Sequence, residues 1–86
     1  MTRAFAYGYV MADKPERVRE IAPAHVAYWG AASLDHHLGG TFGDRTGGLI
    51  TFDVETQELA GQLASGDPFR RAGLLNSHWL KEWAVE

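Results

Sequence analysis

The chain contains no cysteine, and this absence excludes both a disulfide framework and a thiolate-bound metal site. Folding must therefore rely on apolar burial, which is limited in a chain of 86 residues. A domain of this length buries only about 60 to 65% of its unfolded surface. We expect one domain over residues 1–86, stabilised by association with a second subunit.

Positive charge and long apolar runs are also scarce. Eight Lys and Arg stand against eleven Asp and Glu, giving a formal net charge of −3, and the basic residues are scattered. No basic stripe can neutralise nucleic-acid phosphates. No segment approaches the ~18 apolar residues of a membrane span, and the N-terminal residues lack the apolar stretch of a signal peptide. We expect a soluble, cytoplasmic protein that binds neither nucleic acid nor membranes.

Aromatic residues, in contrast, are abundant: three Trp, three Tyr and four Phe. One thin core does not easily hide so much large apolar surface, which favours a subunit interface or a lined pocket. The alternative, that most of these side chains serve the core and the interface, stays open. The candidates for an apolar substrate-binding pocket are Tyr7, Tyr9, Trp29, Phe69 and Trp79.

The first half of the chain reads as a strand, helical segments and a second strand. Alternating apolar residues without charge predict a central strand over residues 4–11. A charged helical segment follows over residues 13–21. Pro23 favours the first turn of a longer helix that reaches about His36, because its missing N–H needs no partner there. A Gly-rich strand is predicted over residues 37–44.

The second half predicts a hairpin, a helix and a last strand. Residues 44–48 carry a turn signal, and residues 49–54 alternate as a strand should. Thr56 is a suitable helix cap, and Gly66 is expected to end that helix in a left-handed conformation. The final strand is predicted over residues 76–85.

The resulting order, β-α-β-β-α-β, is typical of an α+β, ferredoxin-like fold. It predicts a four-stranded antiparallel sheet with two main helices on one face. The other face must be covered, and packing on a second copy is the natural solution. We therefore expect a homodimer joined through the open sheet face.

Two motifs carry a resemblance to a known family. Pro23-Ala24-His25-Val26-Ala27-Tyr28 lies in the first long helix, and Asp67-Pro68-Phe69 is followed by Ala72-Gly73-Leu74. On these residues the chain resembles the YciI-like family of the dimeric α/β-barrel superfamily. The resemblance implies a sheet-to-sheet dimer and an active site built from the motif residues, here His25 and Asp67. It also implies proton transfer on small cyclic substrates, as in a dehydrochlorinase or in muconolactone isomerase.

His25 and Asp67 are the candidate catalytic residues. A histidine ordinarily titrates near pH 6.5, so it can act as acid or base, and a carboxylate on its far nitrogen fixes the tautomer. In the structural alternative, His25 fills a half-buried helix position and Asp67 only caps a turn. Two functions stay open: a cofactor-free lyase- or isomerase-like enzyme that moves a proton, or a non-catalytic dimeric module that binds a small molecule or a protein.

Other chemistry finds less support in the sequence. His36 and His37 are expected to end the helix, where adjacent side chains point about 100° apart and cannot easily share a metal ion. We therefore expect no metal and no cofactor. Arg70 and Arg71 are read as a solvated pair, with contact to a substrate carboxylate as the alternative. No serine or cysteine nucleophile motif is present, which argues against hydrolysis through a covalent intermediate.

Overall fold

The computed structural model describes all residues from 1 to 86. Its elements are β1 (Arg3–Met11), α1 (Pro15–Ala31), β2 (Asp35–Thr41), β3 (Gly47–Val54), α2 (Gln57–Ser65), α3 (Pro68–Arg71) and β4 (Leu75–Glu82). The strands form one antiparallel sheet in the order β2-β3-β1-β4. The predicted β-α-β-β-α-β order and ferredoxin-like fold are confirmed, with the short helix α3 added before β4.

The core lies between the sheet and the helices. Strand β1 supplies alternate side chains to it, and Phe5 faces Phe52 of β3 in register while Tyr7 faces Ile50. The fully or nearly buried apolar residues are Phe5, Tyr7, Tyr9, Trp29, Ile50, Phe52, Ala60, Ala64, Phe69 and Leu74. Because β1 is central, the hydroxyl groups of its tyrosines reach the region where α1 and α3 meet.

Helix α1 is continuous from Pro15 to Ala31, so the predicted break before Pro23 is wrong. A proline inside a helix removes one backbone hydrogen bond, and packing on one side of the helix compensates for that loss. Trp29 is buried on this side, and the Tyr28 hydroxyl donates to the Leu63 carbonyl of α2 at 2.7 Å. The helix also ends five residues before His36, where the prediction placed its end.

The histidine pair belongs to β2, not to the end of the helix as predicted. Asp35 pairs with Asp53 and Leu38 with Thr51, so two residues of β2 stand opposite one residue of β3. This is a β-bulge, which bends a strand and re-aims its side chains. His36 adopts a left-handed φ of 50°, and its Nδ1 lies 2.8 Å from Asp53 Oδ2. As a result, His37 faces the helices.

The second helix begins after Thr56 and ends at Gly66 as predicted, but Gly66 does not have the predicted conformation. Thr56 Oγ1 accepts from the Leu59 N–H at 3.1 Å, which confirms the cap. Gly66 has a φ of −85°, so the left-handed conformation predicted there is wrong. A Cβ at Gly66 would collide with the Tyr28 hydroxyl, so close approach explains this glycine. The left-handed glycine is Gly73, with a φ of 71°, after α3.

The face of the sheet opposite the helices is open and apolar. Its exposed large side chains are Val10, Leu38, Phe42, Trp79 and Trp83. The Trp79 indole covers Gly8 of β1 so closely that no Cβ would fit there. None of the helices is both long and apolar enough to span a membrane.

Candidate active site

Asp67 is a carboxylate without solvent exposure at the start of α3. Its Oδ1 accepts from the Phe69 N–H at 3.0 Å, which caps the helix. Its Oδ2 accepts from the Tyr7 hydroxyl at 3.1 Å. A buried charge needs such partners, because each replaces part of the hydration that the carboxylate has lost.

The third partner of Asp67 is His25. Nδ1 of His25 lies 2.8 Å from Asp67 Oδ1, and the two side chains are 12% and 0% exposed. Since the carboxylate accepts, Nδ1 carries the proton, and Nε2 of the neutral ring keeps its lone pair. His25 lies in the middle of α1, because this helix begins at Pro15 and not near Pro23 as predicted, so the N-terminal end of the helix dipole is remote from His25.

Two aromatic rings hold the imidazole in place. The Phe69 ring stacks on His25 with centroids 4.3 Å apart and planes 24° apart. The Tyr9 hydroxyl lies 3.4 Å from His25 Nε2, a long contact that a ligand can displace. Burial, followed by the negative charge of Asp67, raises the pKa of Tyr9 to about 12. The hydroxyl therefore stays protonated at neutral pH and donates to Nε2.

Tyr7 lies behind this arrangement. It has no solvent exposure, and its pKa is raised by burial first and then by the charge and hydrogen bond of Asp67. Tyr7 does not line a cavity that contains His25. The structure thus places it as a support for Asp67, where the sequence predicted a substrate contact.

A cleft of about 370 Å³ opens beside His25, between α1 and the end of the sheet. Of the predicted aromatic residues, Tyr9, Trp29 and Phe69 line it. Trp79 does not, because it lies on the opposite face of the sheet. The remaining lining residues are Ala22, Val26, His37, Gly39, Gly40, Thr41 and Ile50.

The sequence reasoning missed the contribution of β2 to this cleft. His37 is half-buried, lines the cleft together with His25 and makes no hydrogen bond within the protein. Its ring centroid lies 6.4 Å from that of Trp29. The bulge at His36 turns this side chain inward, and a bulge has no clear signature in a sequence. The available signal was the histidine pair itself, which is separated by one residue from two glycines.

The family model of the YCII-related domain matches residues 3–84, nearly the whole chain. The chain belongs to the YCII-related domain family. A comparison with curated proteins finds no match.

Two solved structures share the fold of this YCII-related domain. 5-Chloro-2-hydroxyhydroquinone dehydrochlorinase (TftG) from Burkholderia phenoliruptrix AC1100, in complex with 2,5-dihydroxybenzoquinone, is 21% identical, with 96% of this chain and 95% of that chain covered and a TM-score of 0.82. A dimeric ferredoxin-like protein of unknown function from Thermobifida fusca is 15% identical, with 99% and 92% covered and a TM-score of 0.61.

The charged side chains at the site of the YCII-related domain do not form a cluster of metal ligands. His25 and Asp67 bond to each other, and the structure contains no group of three or more His, Cys, Asp or Glu that could hold a metal ion. Arg70 and Arg71 do not line the cleft. The site as built therefore offers an imidazole supported by a buried carboxylate, a tyrosine hydroxyl and a second imidazole, around an apolar space.

Proposed function

We propose that the protein is a small cofactor-free enzyme of the lyase or isomerase type, which moves a proton on a small cyclic or aromatic substrate. His25 is the proton acceptor and Asp67 orients it. The observation that carries this proposal is the 2.8 Å contact between His25 Nδ1 and Asp67 Oδ1, made by an imidazole that lines a cleft.

The geometry supports general base catalysis at Nε2. Asp67 accepts the hydrogen bond from Nδ1, so the lone pair is on Nε2 and becomes available when a ligand displaces the Tyr9 hydroxyl. The buried carboxylate then stabilises the imidazolium that forms. In an isomerisation, the proton returns from Nε2 to a different atom of the ring. In an elimination, the ring loses the proton to Nε2 and releases an anionic leaving group. Such a base typically contributes ~10²–10⁴-fold in rate.

The lining of the cleft supports a planar ring as the substrate. Trp29, Phe69 and Ile50 supply apolar walls, and Tyr9 and His37 supply two polar groups. The space of about 370 Å³ is at the small end of ligand pockets. The fold is shared with a dehydrochlorinase whose structure contains 2,5-dihydroxybenzoquinone, a ligand of this shape.

The test is a binding and turnover experiment with two probes, 2,5-dihydroxybenzoquinone and 5-chloro-2-hydroxyhydroquinone. We expect the first to shift the side-chain NMR signals of His25 and the second to be turned over. His25→Gln should lower turnover by ~10²–10⁴-fold while the fold persists. His78→Gln, on the exposed part of β4, is the matched control. Binding without turnover of these or related ring compounds would favour the non-catalytic binding module.

We also propose that two copies associate through the open sheet face. Leu38 is 74% exposed there, and Trp79 and Trp83 are 45% and 49% exposed, which is a large apolar area for a free surface. Sedimentation at micromolar concentration should give a dimer, and Leu38→Lys should shift it toward the monomer. A stable wild-type monomer of 9.5 kDa would contradict this assembly.

A further inference from the structure

A second cavity adjoins the His25 cleft. It has a volume of about 480 Å³ and lies between the start of α1 and the turn that joins β2 to β3. Both cavities are lined by the same four residues where they meet: Tyr9, Ala22, Thr41 and Phe69. A ligand can therefore occupy both spaces at once, with one part at His25 and another beyond Ala22.

The lining of the second cavity is positively charged. Lys14, Arg19 and Arg45 contribute three cations, and Asp13 contributes the only acidic side chain. None of the three cations takes part in an ion pair of this structure. The chain as a whole carries a net charge of −3, so this cavity has the opposite sign to the protein. Unpaired cations around a concave surface attract anions and raise their local concentration.

Arg45 lines the cavity from the turn between β2 and β3, where its backbone is left-handed. Its φ of 63° is left-handed, which an arginine adopts at a cost that glycine or asparagine would avoid. The neighbouring Asp44 is committed to the turn, since its Oδ1 accepts from the Thr46 N–H at 3.0 Å and from the Thr46 hydroxyl at 2.7 Å. These hydrogen bonds lower the pKa of Asp44.

Helix α1 sets the spacing between the two cavities. Arg19 and His25 are six residues apart, which is ~9 Å along the helix axis. Ala22 lies between them in the sequence and lines both cavities, so the two spaces adjoin along this side of the helix.

We propose that the second cavity is an anion subsite of the same site and that the substrate is a small ring carboxylic acid. The ring lies at His25, and the carboxylate lies among Lys14, Arg19 and Arg45. The proposal rests on the proposed function only for the role of the His25 cleft. Arginine and lysine suit this task because they donate several hydrogen bonds to a carboxylate, and arginine does so in a bidentate geometry.

Benzoate and benzamide test the proposal, because they have nearly the same shape and differ in charge. NMR titrations should show both ligands shifting signals of His25 and Phe69, with benzoate bound more tightly. Arg19→Gln should weaken benzoate on the order of three- to tenfold and leave benzamide unchanged. Raising the ionic strength from about 0.05 to about 0.5 M should reduce the benzoate preference in the wild type.

Arg17→Gln is the matched control. Arg17 lies on the same helix, pairs with Glu20 at 3.0 Å and lines neither cavity. Equal affinities for the two ligands at His25, or equal effects of the two substitutions, would overturn the anion subsite and leave the proposed function standing. Benzoate bound near Arg19 without any shift at His25 would overturn the two-part site. Absence of binding by either ligand at millimolar concentration would rule out ring acids of this kind.

Discussion

Replacement of Asp67 by alanine should destabilise the protein far more than the loss of an ordinary helix cap. The carboxylate accepts from three donors: the Phe69 N–H, the Tyr7 hydroxyl and His25 Nδ1. Asp67 and Tyr7 have no solvent exposure. In Asp67→Ala the Tyr7 hydroxyl loses its acceptor, and water cannot reach this hydroxyl without a rearrangement of the core. The perturbation therefore leaves buried donors without partners.

The magnitude follows from these contacts. A lost cap costs about 0.5–2 kcal/mol, and each buried donor left without a partner costs about 1–3 kcal/mol. His25 is 12% exposed and can turn toward water, so its share is smaller. Removing the buried carboxylate also removes its own desolvation cost, which offsets part of the loss. We expect a total of about 3–5 kcal/mol for Asp67→Ala, out of a typical stability of 5–15 kcal/mol.

The assay is urea unfolding at neutral pH, with Asp67→Asn as the milder variant. Asparagine keeps one acceptor oxygen, so a loss of about 1–3 kcal/mol is expected. Nitrogen NMR of His25 adds a second readout: the proton should reside on Nδ1 in the wild type and should lose this preference in Asp67→Asn. Asp35→Asn, at an exposed position, is the control and should change stability by less than about 0.5 kcal/mol. A loss below about 1 kcal/mol in Asp67→Ala would refute the shared-acceptor reasoning.

Three further predictions concern stability and packing. Because burial raises the pKa values of Tyr7 and Tyr9 in the folded state, the stability that these two tyrosines contribute should be constant below about pH 10 and should fall above it. Tyr7→Phe should reduce the slope of that fall by ~1.4 kcal/mol per pH unit in urea titrations. Gly61→Ala, in open space within α2, should raise the free energy of unfolding by about 0.5–1 kcal/mol, whereas Gly73→Ala, at a φ of 71°, should lower it by about 1–2 kcal/mol. Gly8→Ala should displace the indole of Trp79, and an unchanged tryptophan emission would contradict the packing described for the open face.

Local patterns were sufficient for the order of the elements. The alternation in residues 4–11 predicted β1, and the Thr56 cap marked the start of α2, because both signals depend on neighbouring residues alone. The left-handed conformation expected at Gly66 belongs to Gly73 instead. Position 66 requires a glycine because the Tyr28 side chain packs against it. Tyr28 belongs to a helix distant in the sequence, so this contact leaves no local sequence pattern.

The site was partly accessible to sequence reasoning. The resemblance pointed to His25 and Asp67, and periodicity alone could not have joined two residues that lie 42 positions apart. Trp79 was assigned to the pocket because aromatic character does not reveal which face of a sheet a residue occupies. His37 was missed because it was expected to end the helix, and the bulge that turns it inward in β2 has no clear signature in a sequence.

The shared acceptor at Asp67 also determines when the site can exist during folding. Its bonds to Tyr7 and His25 close loops of 60 and 42 residues, and they join β1, α1 and α3. Contacts of such long sequence separation require these loops to close, and closure costs chain entropy. A chain in which β1, α1 and α3 have not met has no oriented imidazole. An NMR signal for a proton held on His25 Nδ1 would therefore report that these three elements have come together, and its appearance in refolding experiments would time that step.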